Sequence, residues 1–148
     1  MRIRTAVETD IPQLLSLVRR YWQFEDIEGF DALRIELLLK RLLAQRTLGE
    51  IWVAEEDGHL IGYLVLMYVL SLEHQGLMAE VDEFFVLPQV RSRGVGGQLL
   101  SAAEEALRRR GCVRLQLQLA VTNEAARLFY MHRGYRGRAG YELIDKAL

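Results

Sequence analysis

Polar and apolar side chains alternate over residues 2–7 (RIRTAV), which predicts a short edge strand. The period then changes. Leu14, Leu15, Val18, Tyr21 and Trp22 recur at helical spacing up to about Phe24. Thr9 is a candidate cap for this helix, and Pro12 is tolerated in a first turn, where its missing N–H would have no partner. The acidic stretch Glu25-Asp26-Ile27-Glu28-Gly29-Phe30-Asp31 reads as a loop. A second helix is predicted over 31–45, with Leu33, Leu37, Leu38, Leu42 and Leu43 as its buried side.

Three strands follow. The first is 49–56, closed by Asp57-Gly58, a strong hairpin-turn signal. The second, 59–70, is apolar almost throughout (LIGYLVLMYVL), which suits a central strand buried on both faces, with Gly62 marking a bulge. The third, 78–87, ends at Pro88, which cannot donate to a sheet ladder. A helix over 94–110 buries Val95, Leu99, Ala103 and Leu107 and exposes Glu104–Arg108 and Glu105–Arg109 as i,i+4 pairs. Gly111 closes it. Residues 113–119 alternate cleanly and read as a strand. Asn123 caps a short helix over 124–132, Gly134 stops it, and 141–147 read as a last strand. The order is β-α-α-β-β-β-α-β-α-β, with no linker, repeat or low-complexity segment, so 1–148 reads as a single α/β domain.

Between the third strand and the long helix stands Arg91-Ser92-Arg93-Gly94-Val95-Gly96-Gly97. Glycines let backbone approach a ligand and adopt positive φ. The free N–H groups and positive dipole end of the helix favour an anion, and Arg91 and Arg93 add charge-assisted donors. Strand, glycine turn and helix start together are a pattern for holding phosphate. A P-loop is excluded because no Lys follows the glycines. A dinucleotide motif starting at Gly94 fails because Leu99 stands at its last glycine. The other reading of Arg91 and Arg93 is a solvated loop.

Composition narrows the function classes. The chain has 148 residues, 51% hydrophobic and 26% charged, enough for a substantial core. A net charge of −1 and glutamates interleaved with Arg108-Arg109-Arg110 weigh against a nucleic-acid binder. One cysteine, Cys112, allows neither an internal disulfide nor a cysteine-based zinc site, and His59, His74 and His132 show no ligand spacing, so no metal is expected. No signal peptide opens the chain and no apolar run approaches a membrane span, so the expected location is cytoplasmic with no membrane partner.

Val86-Leu87-Pro88 followed by Arg91-Ser92-Arg93-Gly94-Val95-Gly96 resembles the signature of the GNAT superfamily of acyl-CoA-dependent N-acyltransferases. Downstream, Asn123-Glu124-Ala125-Ala126-Arg127-Leu128-Phe129-Tyr130-Met131-His132-Arg133-Gly134-Tyr135 resembles the family's second motif, about one βαβ step later. The element order is also similar to that family's, so the resemblance covers nearly the whole chain. It implies a mixed, mostly antiparallel central sheet flanked by helices, with acetyl-CoA as co-substrate. It further implies that the pyrophosphate rests on the backbone of residues 91–97. Phe84, Phe85 and Val86 then run beside the pantetheine, with a backbone N–H near Val86 as the oxyanion donor. Asn123 would bond the pantetheine arm, Ala126 would leave it room, and Tyr130 would protonate the departing thiolate. Phe129 and Tyr135 read better as core aromatics.

An acceptor amine must lose a proton before it attacks, which calls for a general base. The strand 78–87 carries Glu80, Asp82 and Glu83. By strand alternation Glu80 and Asp82 share one face and Glu83 takes the other. Aligned from the glycine turn, Glu80 matches the base position of the family's protein-lysine branch and is the first candidate, with Glu83 second. The other reading is that these acids only neutralise nearby arginines. Gln118 stands where the ribosomal-protein N-terminal branch has a Glu, which argues against that branch. The expected acceptor is a small cationic amine or a protein lysine, drawn by the acidic loop and Glu73. A homodimer, common in the family, would use the last strand. The alternative to an enzyme is a non-catalytic acyl-CoA sensor of the same fold, against which Tyr130 and the strand acids weigh.

Overall fold

The long apolar run forms β3 (His59–Ser71), buried continuously from Leu60 to Met67's neighbour Leu66. It is the middle strand of a five-stranded sheet made with β1 (Arg2–Thr5), β2 (Gly49–Glu56), β4 (Gly76–Val86) and β5 (Arg114–Leu117), in the order β1-β2-β3-β4-β5. The first three pairings are antiparallel and β4–β5 is parallel. The sheet is therefore mixed and mostly antiparallel, as the family resemblance implied. Asp57 (φ 50°) and Gly58 (φ 76°) turn the chain from β2 to β3 with both residues at positive φ, the twist a two-residue hairpin needs. The bulge expected at Gly62 falls beside it: Ala54 pairs Gly62 and Glu55 pairs Leu60, so Ile61 is the extra residue.

The computed structural model describes residues 1–148, in two compact units, Met1–Leu117 and Gln118–Leu148. In the first, α1 (Ile11–Phe24) and α2 (Ala32–Ala44) cover one sheet face and α3 (Val95–Arg109) the other. Adjacent β3 residues show this. Tyr63 meets Tyr21 of α1 edge-to-face at 6.5 Å, whereas a Cβ on Gly62 would lie 3.2 Å from Leu99 of α3 and 3.0 Å from the Phe85 carbonyl. Gly62 thus lets α3 approach the sheet. Val95, Leu99, Ala103 and Leu107 are buried, as their spacing predicts. Burying a leucine of this kind contributes about 1.5–3 kcal/mol.

Three expectations are corrected in this region and beyond. Thr9 does not cap α1. Asp10 instead accepts from the Val7 N–H (2.8 Å) and from both terminal nitrogens of Arg4 (2.7 and 2.9 Å), closing a short 3₁₀ turn, Glu8–Asp10. On α2, capped by Asp31 through the Arg34 N–H (3.0 Å), Leu33, Leu37 and Leu38 are exposed, because Leu39 with Leu42 and Leu43 takes the sheet-facing side. In the second unit α4 (Glu124–Met131) is the one regular element, and the last strand expected over 141–147 does not form. Tyr141, Leu143 and Ile144 are exposed there, and alternation without a ladder partner does not make a strand.

Asp10 is buried, and Arg4, followed by the Val7 N–H, holds its carboxyl below the usual carboxylate range. Its stabilising effect is therefore complete above about pH 4 and is lost as pH falls through the lower folded value. Asp10→Asn is expected to cost about 1.5–3 kcal/mol at pH 7, the range for hydrogen bonds to a charged group. Urea unfolding should show that difference shrinking on acidification below pH 4.

Candidate active site

β5 accompanies β4 for four residues, from Met78↔Arg114 to Val81↔Leu117. Beyond Val81, β4 continues to Val86 with β3 on one side and no strand on the other. Backbone polar groups alternate along a strand edge. The Leu87 N–H bonds Ile61 on the β3 side, so Val86 presents its N–H and C=O at the open edge. The Val86 carbonyl is taken there by Arg91 Nε at 2.9 Å. Its N–H faces the same open edge, and the resemblance expects an oxyanion donor near this residue.

The carboxylates are not arranged as simple alternation predicts. Val65 pairs Glu83 and Leu66 pairs Val81, so Asp82 is an extra residue in β4. Cross-strand partners share a face. Met67, Val65 and Tyr63 lie on the face that α1 covers, and they pair Glu80, Glu83 and Phe85. Glu80 and Glu83 are therefore on the same face, contrary to the expectation that Glu83 points away. The bulge restores to one side what the period of two would have divided.

Glu83 is half-buried and held at both oxygens. Trp22 Nε1 of α1 donates to Oε1 at 2.8 Å, and the Tyr63 hydroxyl donates to Oε2 at 2.8 Å. Burial pushes the Glu83 carboxyl up, the two donors oppose this, and Asp82 adds to the rise. Asp82 reaches solvent but is crowded by protein and by Glu80, which raise it too. Tyr21 is pushed up to about 12, chiefly by burial and then by Glu25 and Glu83. Glu80 accepts from Gln116 of β5 at 2.9 Å. Phe85 is buried under α1 against Tyr21 and Phe24 (6.1 and 6.2 Å), while Phe84 and Val86 take the α3 face.

After β4 a short 3₁₀ turn, Pro88–Arg93, leads to Gly94 at φ 75° and then α3. Gly94 caps α3 without a side chain. The Gln98 N–H returns to the Gly94 carbonyl, leaving the Val95, Gly96 and Gly97 N–H groups of the first turn without helical acceptors. Ser92 and Gly94 are exposed, Gly96 and Gly97 half-exposed, and Val95 is buried, so Val95 offers backbone only. The arginines are less free than a phosphate clamp suggests. Arg93 pairs with Glu56 at the end of β2, with Nη1 2.9 Å from Oε2. Arg91 lies across the rings of Phe24 (4.5 Å) and Phe85 (5.5 Å).

In the second unit Asn123 Oδ1 accepts from the Ala126 N–H at 3.1 Å and so caps α4. Ala126 is half-buried. Tyr130 is 8% exposed and packs edge-on against Phe129 (5.1 Å) and Tyr135 (5.3 Å), which are expected as core aromatics and are half-buried. Trp22 and Tyr63 are the partners of Glu83 that sequence reasoning missed. Both lay in hydrophobic patterns that read as core, and only the bulge brings Glu83 to them. A cavity of about 370 Å³ between the ends of β1 and α2 and the start of β2 contains none of the predicted site residues.

The first unit thus brings together an open stretch of β4, a glycine-led helix start and the acids Glu80 and Glu83 on one face. The model of the Acetyltransferase (GNAT) family matches residues 11–135. An uncharacterized N-acetyltransferase of Bacillus subtilis, YhfO, is 32% identical over 95% of this chain and 93% of its own. The aminoalkylphosphonate N-acetyltransferase of Salmonella typhimurium is 32% identical over 92% of this chain and 84% of its own. The crystal structure of integron cassette protein HFX_CASS3 superimposes with a TM-score of 0.86 at 29% identity, over 99% of this chain and 90% of that one. The chain belongs to the acetyltransferase (GNAT) family and is an N-acetyltransferase.

A Cβ on Gly94 would meet nothing within 4 Å, so a larger side chain there projects into the approach to the helix start, at the cost of strain from the positive φ. Replacing Gly94 and Gly96 together with leucine is expected to abolish acetyl-CoA binding measured by calorimetry. Retained affinity would separate the turn from the cofactor.

Proposed function

We propose that the chain transfers an acetyl group from acetyl-CoA to a primary amine by direct attack in a ternary complex. The observation that carries this reading is the parting of β4 from β5 after Val81, directly before the glycine-led start of α3. An extended pantetheine arm fits the open edge of residues 84–86, and pyrophosphate fits the free N–H groups of residues 95–97. Arg91 is the charge-bearing contact we favour at that turn, because Arg93 is already paired with Glu56. Asn123 and Ala126 receive the pantetheine arm from α4. The whole chain, 1–148, works in this reading as one acetyltransferase domain, and the family match over residues 11–135, which reaches into the second unit, supports it.

In the reaction a carboxylate on β4, Glu80 or Glu83, takes a proton from the ammonium. The amine lone pair then forms the N–C bond, the Val86 N–H steadies the oxyanion, and the C–S bond breaks. Tyr130 gives its proton to the thiolate. The acceptor is a cationic amine, a small molecule or a lysine side chain. The Salmonella relative, named for an amine-bearing substrate, supports the small molecule. Glu25, Asp26 and Glu28 lie between α1, whose Trp22 bonds Glu83, and α2, and favour a positive acceptor. No helix is long and apolar enough to cross a membrane, and neither membrane nor nucleic acid enters the reading as a partner.

Tyr130→Phe is expected to lower kcat by about 10²-fold where chemistry limits the rate, the low end for general acids because a thiolate leaves readily. An unaltered kcat in pre-steady-state assays would remove Tyr130 from the mechanism. Neutralising Glu25, Asp26 and Glu28 together should raise KM for a cationic acceptor several-fold at low salt and leave it unchanged at high salt. Equal KM values at low salt would show the loop to be a solvated surface.

A further inference from the structure

Glu80 and Glu83 share a sheet face, but their surroundings differ in a way that assigns their roles. Glu80 lies in the paired part of β4, opposite Gln116, and spends Oε2 on that neighbour's amide at 2.9 Å. Glu83 lies two residues past the last β4–β5 pair, in the stretch whose outer edge is open. Each of its oxygens receives one donor, and the donors come from two different elements. Tyr63 is 0% exposed and braced by Tyr21, and Trp22 is braced edge-to-face by Phe30 at 5.5 Å. Two rigid aromatic donors fix the carboxylate plane, and a carboxylate oxygen that accepts one bond keeps a second lone pair.

We propose that Glu83, rather than Glu80, takes the proton from the attacking amine, and that Trp22 and Tyr63 are positioning residues that hold its two oxygens for that step. The assignment rests on the acetyl-transfer reading. The proton moves from the ammonium nitrogen to a Glu83 oxygen and then to water. The freed lone pair forms the N–C bond, the nitrogen loses its second proton to water as the C–S bond breaks, and the thiolate is protonated separately. Glu80 becomes a strand-pairing residue that carries negative charge beside the site.

The groups facing Glu83 are Tyr63 of β3, Tyr21 and Trp22 of α1 with Glu25 just beyond its end, and Asp82 and Glu80 of β4. Arg91 lies over the adjacent Phe85 ring. Trp22 and Tyr63 are the two that stabilise the charged carboxylate by direct donation. Removing either donor therefore raises the pH at which the base becomes competent.

The test is the pH profile of kcat/KM for one amine in the unmodified protein and in Trp22→Phe, Tyr63→Phe, Glu80→Gln and Glu83→Gln. The acidic limb is expected to move to higher pH in the first two, by about half a unit or more. In Glu80→Gln the limb should persist and move, if at all, to lower pH, because a neighbouring negative charge is lost, and rate should fall by at least 10²-fold in Glu83→Gln. A second readout needs no turnover. In a Trp52→Phe background the indole N–H resonance of Trp22 reports the ionisation of Glu83, and its midpoint should coincide with the kinetic limb and shift with it in Tyr63→Phe. A limb that persists in Glu83→Gln, disappears in Glu80→Gln, or diverges from the indole midpoint overturns the assignment. A protein that binds acetyl-CoA yet acetylates no amine overturns the transfer reading itself, and this assignment with it.

Discussion

One extra residue in β4 governs the working side of this protein. With Asp82 inserted opposite a single step of β3, the strand changes which side chains it gives to α1 without changing direction. Glu83 is brought under Trp22 and beside Tyr63, and Phe85 is brought into the aromatic packing of Tyr21 and Phe24. The same region is where β4 leaves β5 behind. A bulge strengthens local twist and leaves a residue outside the ladder, so the acids on one face and the open edge at the side come from the same short stretch. Without it, Glu83 would face α3, where Leu99 and Val95 leave an ionised carboxylate no compensation.

The charges around this stretch are largely spoken for. Arg93 ties the glycine turn to the end of β2 through Glu56, and Arg91 ties it to the end of β4 through the Val86 carbonyl and the Phe24 and Phe85 rings. The turn is thereby held from two sides while its helix N–H groups stay uncapped. Preorganisation of this kind matters more than net attraction, because an anion arriving at fixed N–H groups does not have to order them. The exposed Arg93–Glu56 pair adds little stability by itself; what it contributes is the placement of Gly94.

Much of this fold is legible in the sequence. The apolar run of β3, the Asp57-Gly58 turn, the four-residue spacing of Val95, Leu99, Ala103 and Leu107, and the Asn123 cap are local signals, and each forms where its pattern places it. The errors share one cause: each depended on a partner that the pattern does not name. Leu33, Leu37 and Leu38 look as buriable as Leu39, but which stripe of α2 is covered depends on where the sheet lies. Residues 141–147 alternate like a strand and have no ladder to join. Trp22 and Tyr63 read as core because nothing short of the β4 bulge shows an acid between them. Glycines at 94 and 96 and tyrosine at 130 stand in contiguous motifs, so the sequence alone singles them out. The clamp on Glu83 was missed because its parts are 20 and 61 residues away from it along the chain.

The brevity of the β4–β5 pairing has a consequence for how the molecule opens. The strands β1 to β4 are joined by three antiparallel ladders, whereas β5 joins at the sheet edge through four parallel pairs after the α3 crossover. Parallel pairs are slightly less stable per residue, so β5 is an edge of the sheet that opens readily in local unfolding. A ligand lying along the unpaired part of β4 binds only while that end is closed. At a hundredfold excess over its Kd such a ligand adds about 2.7 kcal/mol to the closed state. It acts as the continuation that β5 lacks, so a short seam at the edge of the sheet becomes guarded by occupancy, and protection of its amides from exchange will track how full the site is.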